Sequence, residues 1–130
     1  MSAVLAVQGA MVSALRSGLG TQVSGVFDGA PARAAFPFVE IGDGEERDWS
    51  HKTGLGREIR LGVLVRDDGR SSARLQGLMG DVQDAVLGMA RELHGFRVVS
   101  LVFVRSRVAR DGAGGPWAGL VEFRARVLAG

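Results

Sequence analysis

The chain has 130 residues, 46% of them hydrophobic and 23% charged, with a formal net charge of +2. That is the length of one globular domain (residues 1–130), too apolar to stay unfolded and long enough to bury its own core. It contains no cysteine, which excludes disulfides, thiolate metal sites and a cysteine nucleophile. The pI near 10.3 overstates the basicity, because all sixteen basic residues except Lys52 are arginines with very high pKa values. Their distribution matters more: residues 40–48 hold Glu40, Asp43, Glu45, Glu46 and Asp48 against Arg47 alone, whereas from His94 onward six arginines face only Asp111 and Glu122. Such a dipolar surface steers a like molecule head to tail as readily as it attracts nucleic acid.

Taken in order, residues 2–17 read as a helix, with Val4, Leu5, Met11, Val12 and Leu15 on one stripe and Gly18-Leu19-Gly20 as the stop. The N-terminus lacks the basic start of a signal peptide and no segment approaches the ~20 apolar residues of a membrane span, so the expectation is a soluble protein made in the cytoplasm. Residues 21–27 read as a short extended piece and residues 28–31 as a turn. Residues 37–42 (PFVEIG) form a short strand, followed by a polar loop over residues 43–56 that carries Trp49, His51 and Lys52. Residues 57–66 alternate cleanly, with Ile59, Leu61, Val63 and Val65 on one face.

Ser71 or Ser72 then caps a second helix predicted to run to about Leu93, its stripe made by Leu75, Leu78, Met79, Val82, Val86, Met89 and Leu93. Gly77, Gly80 and Gly88 within it fit a close approach to a strand and, equally, a GC-rich codon bias. Residues 97–110 and 117–128 form two closing strands around a Gly-rich turn. Val99, Leu101 and Phe103 form an apolar face on the first, and Val121, Phe123, Ala125 and Val127 on the second. Arg105, Arg107, Arg124 and Arg126 occupy the other face. The expected fold is α+β: a mainly antiparallel four-stranded sheet with two helices packed on one face, in the order α-β-β-α-β-β.

No reactive constellation accompanies this frame. His51 and His94 lack metal-ligand spacing, His94 being placed at a helix end and His51 in a solvated loop. There is no Gly-x-Ser-x-Gly elbow, and neither Gly54-Leu55-Gly56 nor residues 112–115 continue into a phosphate loop. No catalytic residue, metal or cofactor is therefore expected. The arginine face could grip phosphate, which leaves a small nucleic-acid-binding domain as the alternative function. Trp49 and Trp117 are the expected anchors of a protein interface, with capping of the core an equal reading for Trp117.

The order of elements, together with the helix AVQGAMVSAL, the Asp28-x-x-Pro31 turn, the string Phe36-Pro-Phe-Val-Glu-Ile-Gly42, the polar loop with Gly54 and the strand Glu58-Ile-Arg-Leu-Gly-Val-Leu-Val65, resembles the tail-terminator (tail-completion) proteins of long-tailed phages and phage-derived gene transfer agents. Arg66-Asp67 departs from the resemblance, since relatives often place an aromatic and a small polar residue there. The resemblance implies a structural virion protein that performs no covalent chemistry. Six copies would form a ring on the head-proximal end of the tail tube, stop its polymerisation and form part of the head–tail joint. The implied partners are further copies of the chain, the major tail tube protein and a head–tail connector or stopper, with DNA passing the lumen unread and no membrane involved. Such a ring needs one patch to meet a different patch on its neighbour. The expected pair is the acidic loop of Glu45, Glu46 and Asp48 against the basic hairpin face of Arg105, Arg107, Arg124 and Arg126, with Trp49, His51, Arg57 and Trp117 as further contacts to a neighbouring subunit or the tube.

Overall fold

The structure, a computed structural model, describes residues 2–130. Helix α1 (Ala3–Leu19) is followed by a 3-10 turn (Gly20–Gln22) and strands β1 (Val26–Asp28), β2 (Phe38–Asp48) and β3 (Gly56–Asp67). Helix α2 (Ala73–Leu87) and strands β4 (Glu92–Leu93), β5 (Phe96–Arg110) and β6 (Trp117–Ala129) complete the chain. The strands make one six-stranded sheet in the order β1-β2-β3-β6-β5-β4. This corrects the expected four-stranded antiparallel sheet: the element order is α-β-β-β-α-β-β-β, and β1 pairs parallel to β2. The two additional strands span three and two residues, too short to show alternation, and only their pairing makes them strands.

Both helices lie on one face of the sheet and share its core. The buried stripe of α1 is Ala3, Val7, Met11, Leu15 and Leu19, a four-residue repeat one step round from the expected stripe; Leu5 is 62% exposed. By length and composition the run Ala3–Gln22 would pass for a membrane-crossing helix, contrary to the expectation from sequence. Its apolar stripe, however, is spent on the core formed with α2 and the sheet. Gly18 lets the helices touch, since a Cβ there would lie 2.8 Å from the Ala85 Cβ. Against the sheet the close approach is at Gly119, under Met79, whereas Gly77 and Gly80 have nothing near them.

Helix α2 stops at Leu87, short of the expected Leu93. Arg91 folds back and donates to the carbonyls of Leu87 (2.8 Å) and Met89 (2.7 Å), which satisfies groups a helix end leaves free. The chain then turns through Gly95, at φ 84°, so His94 sits in the β4–β5 turn and not at a helix terminus. At the helix start, Ser72 is the cap residue but makes no side-chain capping bond; the Ala73 amide donates instead to the Ser71 hydroxyl at 3.3 Å. Asp67, where the sequence departs from the tail-terminator pattern, is fully buried and held by Arg74, whose Nε lies 3.0 and 3.1 Å from its two oxygens.

Three bulges set which side chains share a face. β2 gains a residue between Ile41 and Gly44, and this keeps it paired with β3 as far as Asp48. The first part of the expected polar loop, residues 43–48, is therefore strand. β5 gains one residue at Val99 and another at Val104, each of which reverses the side-chain alternation. Val98, Leu101 and Phe103 consequently face the helices with Val127, Ala125 and Phe123. Beyond the second bulge, Arg105 joins Glu122 on the helix-free face.

Candidate functional site

The acidic segment is an edge of the sheet. β1 covers β2 only at Val39, Glu40 and Ile41, and among the described residues nothing hydrogen-bonds to the outer backbone edge of residues 42–48. Glu45 and Arg47 lie on the helix-free face and pair with each other at 2.8 Å, both well exposed. Glu46 and Asp48 lie on the helix side, where Arg57 bridges them at 2.9 and 3.0 Å. The Ser50 hydroxyl donates to Asp48 at 2.6 Å; that bond, with the backbone amide of Ser50 and the charge of Arg57, holds the Asp48 carboxyl below its ordinary pKa.

Trp49 and His51 do not project as a free arm. Trp49 donates its backbone N–H to the Gly56 carbonyl at 2.9 Å, and His51 and Gly54 bridge to close a tight turn. The two rings meet edge to face with centroids 4.5 Å apart. The Arg126 guanidinium lies 5.3 Å over the Trp49 ring and 3.4 Å from Glu58. Leu55, at the end of this turn, is 68% exposed.

The basic segment is the opposite edge. β4 covers β5 only at Phe96 and Arg97. The last hydrogen bond to the outer edge of β5 runs from the Val98 amide to the Arg91 carbonyl, and beyond it no partner stands among the described residues. Residues 98–110 carry Arg105, Arg107 and Arg110 and no acid, together with exposed Val99, Val102, Phe103 and Val108. Arg105 forks onto one oxygen of Glu122 at 3.0 and 2.8 Å, and this bond raises its already high pKa. Arg107 is exposed with no ion-pair partner among the described residues.

Register places Arg105, Arg107, Arg124 and Arg126 on one face, Arg105 and Arg107 only because the bulge at Val104 turns them away from the Phe103 side. Arg124 lies opposite Arg60, with its Nε buried and unbonded. Trp117 stands apart: it packs on the core, donates Nε1–H to the Gly69 carbonyl at 2.9 Å and carries Arg110 on its ring at 4.5 Å. Glu45, Glu46 and Asp48 thus lie on one open edge and Arg105 and Arg107 on the other, whereas Arg57, Arg124, Arg126 and Trp117 sit on the central strands β3 and β6 between them. The length of β5, 15 residues beside a two-residue β4, is the sequence signal of an open edge; that of β2 is hidden because residues 43–48 read as loop.

The concavities are shallow. One, about 590 Å3, is a mostly apolar groove beside α1 lined by Leu5, Ala10, Met89 and Leu93. Among the described residues no cluster of three or more His, Cys, Asp or Glu side chains could hold a metal.

The sequence profile of the tail completion protein gp17 family matches residues 6–128. No curated protein matches the sequence significantly. Among solved structures, the chain is similar to one in the virion of a native gene transfer agent particle, at 26% identity over 98% of each chain and a TM-score of 0.80. It is also similar to the bacteriophage SPP1 gp17 protein, at 26% identity over 95% of this chain and 89% of that one, with a TM-score of 0.62.

Proposed function

Because the chain belongs to the tail completion protein gp17 family, and so has a structural role in a phage tail or related particle, we propose that it is a ring-forming tail terminator. Copies, six in the ring we envisage, close on the head-proximal end of the tail tube and stop the tube protein from adding further layers. The exposed surface of the ring then receives the head–tail connector or stopper. The chain works by matching shape and charge and carries out no covalent chemistry.

The observation that supports this reading is the division of charge. A cyclic ring needs two different, complementary patches on each subunit, and the acidic and basic edges lie on opposite sides of one rigid sheet. The helix-free face, with Arg60, Arg66, Arg107, Arg124 and Arg126, suits a lumen that lets DNA slide without reading its sequence. The same arginines keep a nucleic-acid-binding domain as the second reading, though Arg105 and Arg126 already hold Glu122 and Glu58.

Native mass spectrometry of the purified chain, alone and with its tail tube protein, tests the proposal alongside electron microscopy of tube lengths. Closed rings and tubes capped at one end are expected. A strict monomer that neither contacts the tube nor limits its length overturns it.

A further inference from the structure

The ring proposal leaves open how neighbouring copies join. Resting on that proposal, we infer that they join by backbone pairing, with residues 42–48 of β2 adding as a strand to residues 104–110 of β5 on the next copy, so that the sheet continues round the ring. Both segments are uncovered strand, and an uncovered strand is a template for another. Their charges are opposite.

Direction and register agree. Within a subunit β2, β3, β6 and β5 alternate in direction, so a rotation that carries one copy to the next sets β5 antiparallel to the neighbour's β2. The pairings Glu45 with Arg60, Arg60 with Arg124, and Arg124 with Val102 put Glu45 level with Val102. Strands of a closed sheet tilt by about 40°. Over four strand spacings of ~4.8 Å this offsets meeting edges by roughly 16 Å, or about five residues. One sense of offset brings Glu45 to Arg107. The other brings it to Arg97, which β4 already covers.

In the allowed register Glu45 meets Arg107 with both on the helix-free face, and Glu46 meets Ser106 with both on the helix side. Arg47 faces Arg105, whose charge Glu122 already holds. β1 of the neighbour falls past the end of β5 and does not obstruct the contact.

Since the chain has no cysteine, the double variant Glu46→Cys, Ser106→Cys tests the register directly. Directly opposed residues on antiparallel strands lie within disulfide reach. Oxidation is expected to give covalent multimers up to the closed ring, whereas Glu45→Cys with Arg97→Cys, the pair the other register would bring together, gives none. In the unmodified ring, the amides of residues 42–48 and 104–110 that face outward on an open edge are expected to exchange at least ~100-fold more slowly than such free amides. A ring that stays intact by native mass spectrometry but yields neither multimers nor this protection overturns the edge pairing and leaves the ring proposal standing. A chain that forms no ring with or without tube protein overturns both.

Discussion

Reversing one charge, Glu45→Arg, separates assembly from folding. Within the chain Glu45 pairs with Arg47, their side chains 53% and 73% exposed, and stands opposite Arg60 on β3; such exposed charge contacts contribute at most about 1 kcal/mol. Reversal loses that attraction and adds a repulsion of similar size, so the melting temperature should fall by no more than roughly 8 °C. Between copies the account differs. Glu45 facing Arg107 at ~5 Å in a water-like dielectric gains about 1 kcal/mol, and two like charges there cost about as much. The swing of about 2 kcal/mol weakens each contact roughly thirty-fold, and a closed ring repeats the contact at every subunit. Rings should disappear at concentrations where the wild type is fully assembled, and Arg107→Glu in the same chain should restore them. Arg107 is the better compensating site because Arg105 already serves Glu122. Native mass spectrometry at low and high salt reads the outcome. Normal assembly of Glu45→Arg, or no rescue by Arg107→Glu, refutes the pairing of these two charges.

Three further substitutions probe the frame that holds the edges apart. Gly18→Val places side-chain atoms against Ala85, already 2.8 Å from a Cβ at that site; it should destabilise by about 1–3 kcal/mol in denaturant titration, with Ala85→Gly recovering part of the loss. Arg74→Ala leaves the fully buried Asp67 carboxylate without its fork. Because Arg74 is half exposed the loss should be about 2 kcal/mol, and Asp67→Asn in the same chain should lessen it. Ser50→Ala removes the chief cause of the lowered Asp48 pKa, so the carboxyl should titrate closer to its ordinary value in an NMR pH series. The sign follows from the depressed pKa: this group stabilises the fold above the unfolded carboxylate value near 4, that contribution is lost as pH falls through the lower folded value, and the variant narrows the window.

The parts of the fold that were legible in the sequence are those where periodicity runs long. β3 and β6 alternate for most of their length, and the stripe from Leu75 to Val86 repeats at helical spacing; both reappear in the structure. β1 and β4 offered too few residues to show a period, and each is a strand only because a neighbour's backbone is there to pair with it. The bulges were hidden for a different reason. Val99 and Val104 look like ordinary strand residues, yet each adds one residue against β6 and turns the following side chains over. That is how Phe103 and Arg105, two apart, come to face opposite ways. The acidic residues read as loop because Gly42, Asp43 and Gly44 interrupt the alternation, and in the folded chain they form the bulge through which β2 continues.

Open edges invite the wrong partner as well as the right one, and the segregation of charge between them decides which contact survives. Two β5 edges laid antiparallel would make a closed two-fold dimer that uses up the basic edge and blocks a ring, but they would also bring Arg105, Arg107 and Arg110 of both copies together. Two β2 edges would do the same with Asp43, Glu45 and Asp48. Like charges directly opposed across strands destabilise the pair, so only the mixed contact, which propagates head to tail, is favoured on both counts. Neutralising the basic edge with Arg105→Gln and Arg107→Gln should then do more than weaken the ring. With exposed Val99, Val102, Phe103 and Val108 still present and the repulsion gone, β5 should pair with itself, and native mass spectrometry should show dimers replacing rings. A double variant that keeps its rings, or falls apart to monomers with no dimer at any concentration, would mean that the arginines do not select the partner edge.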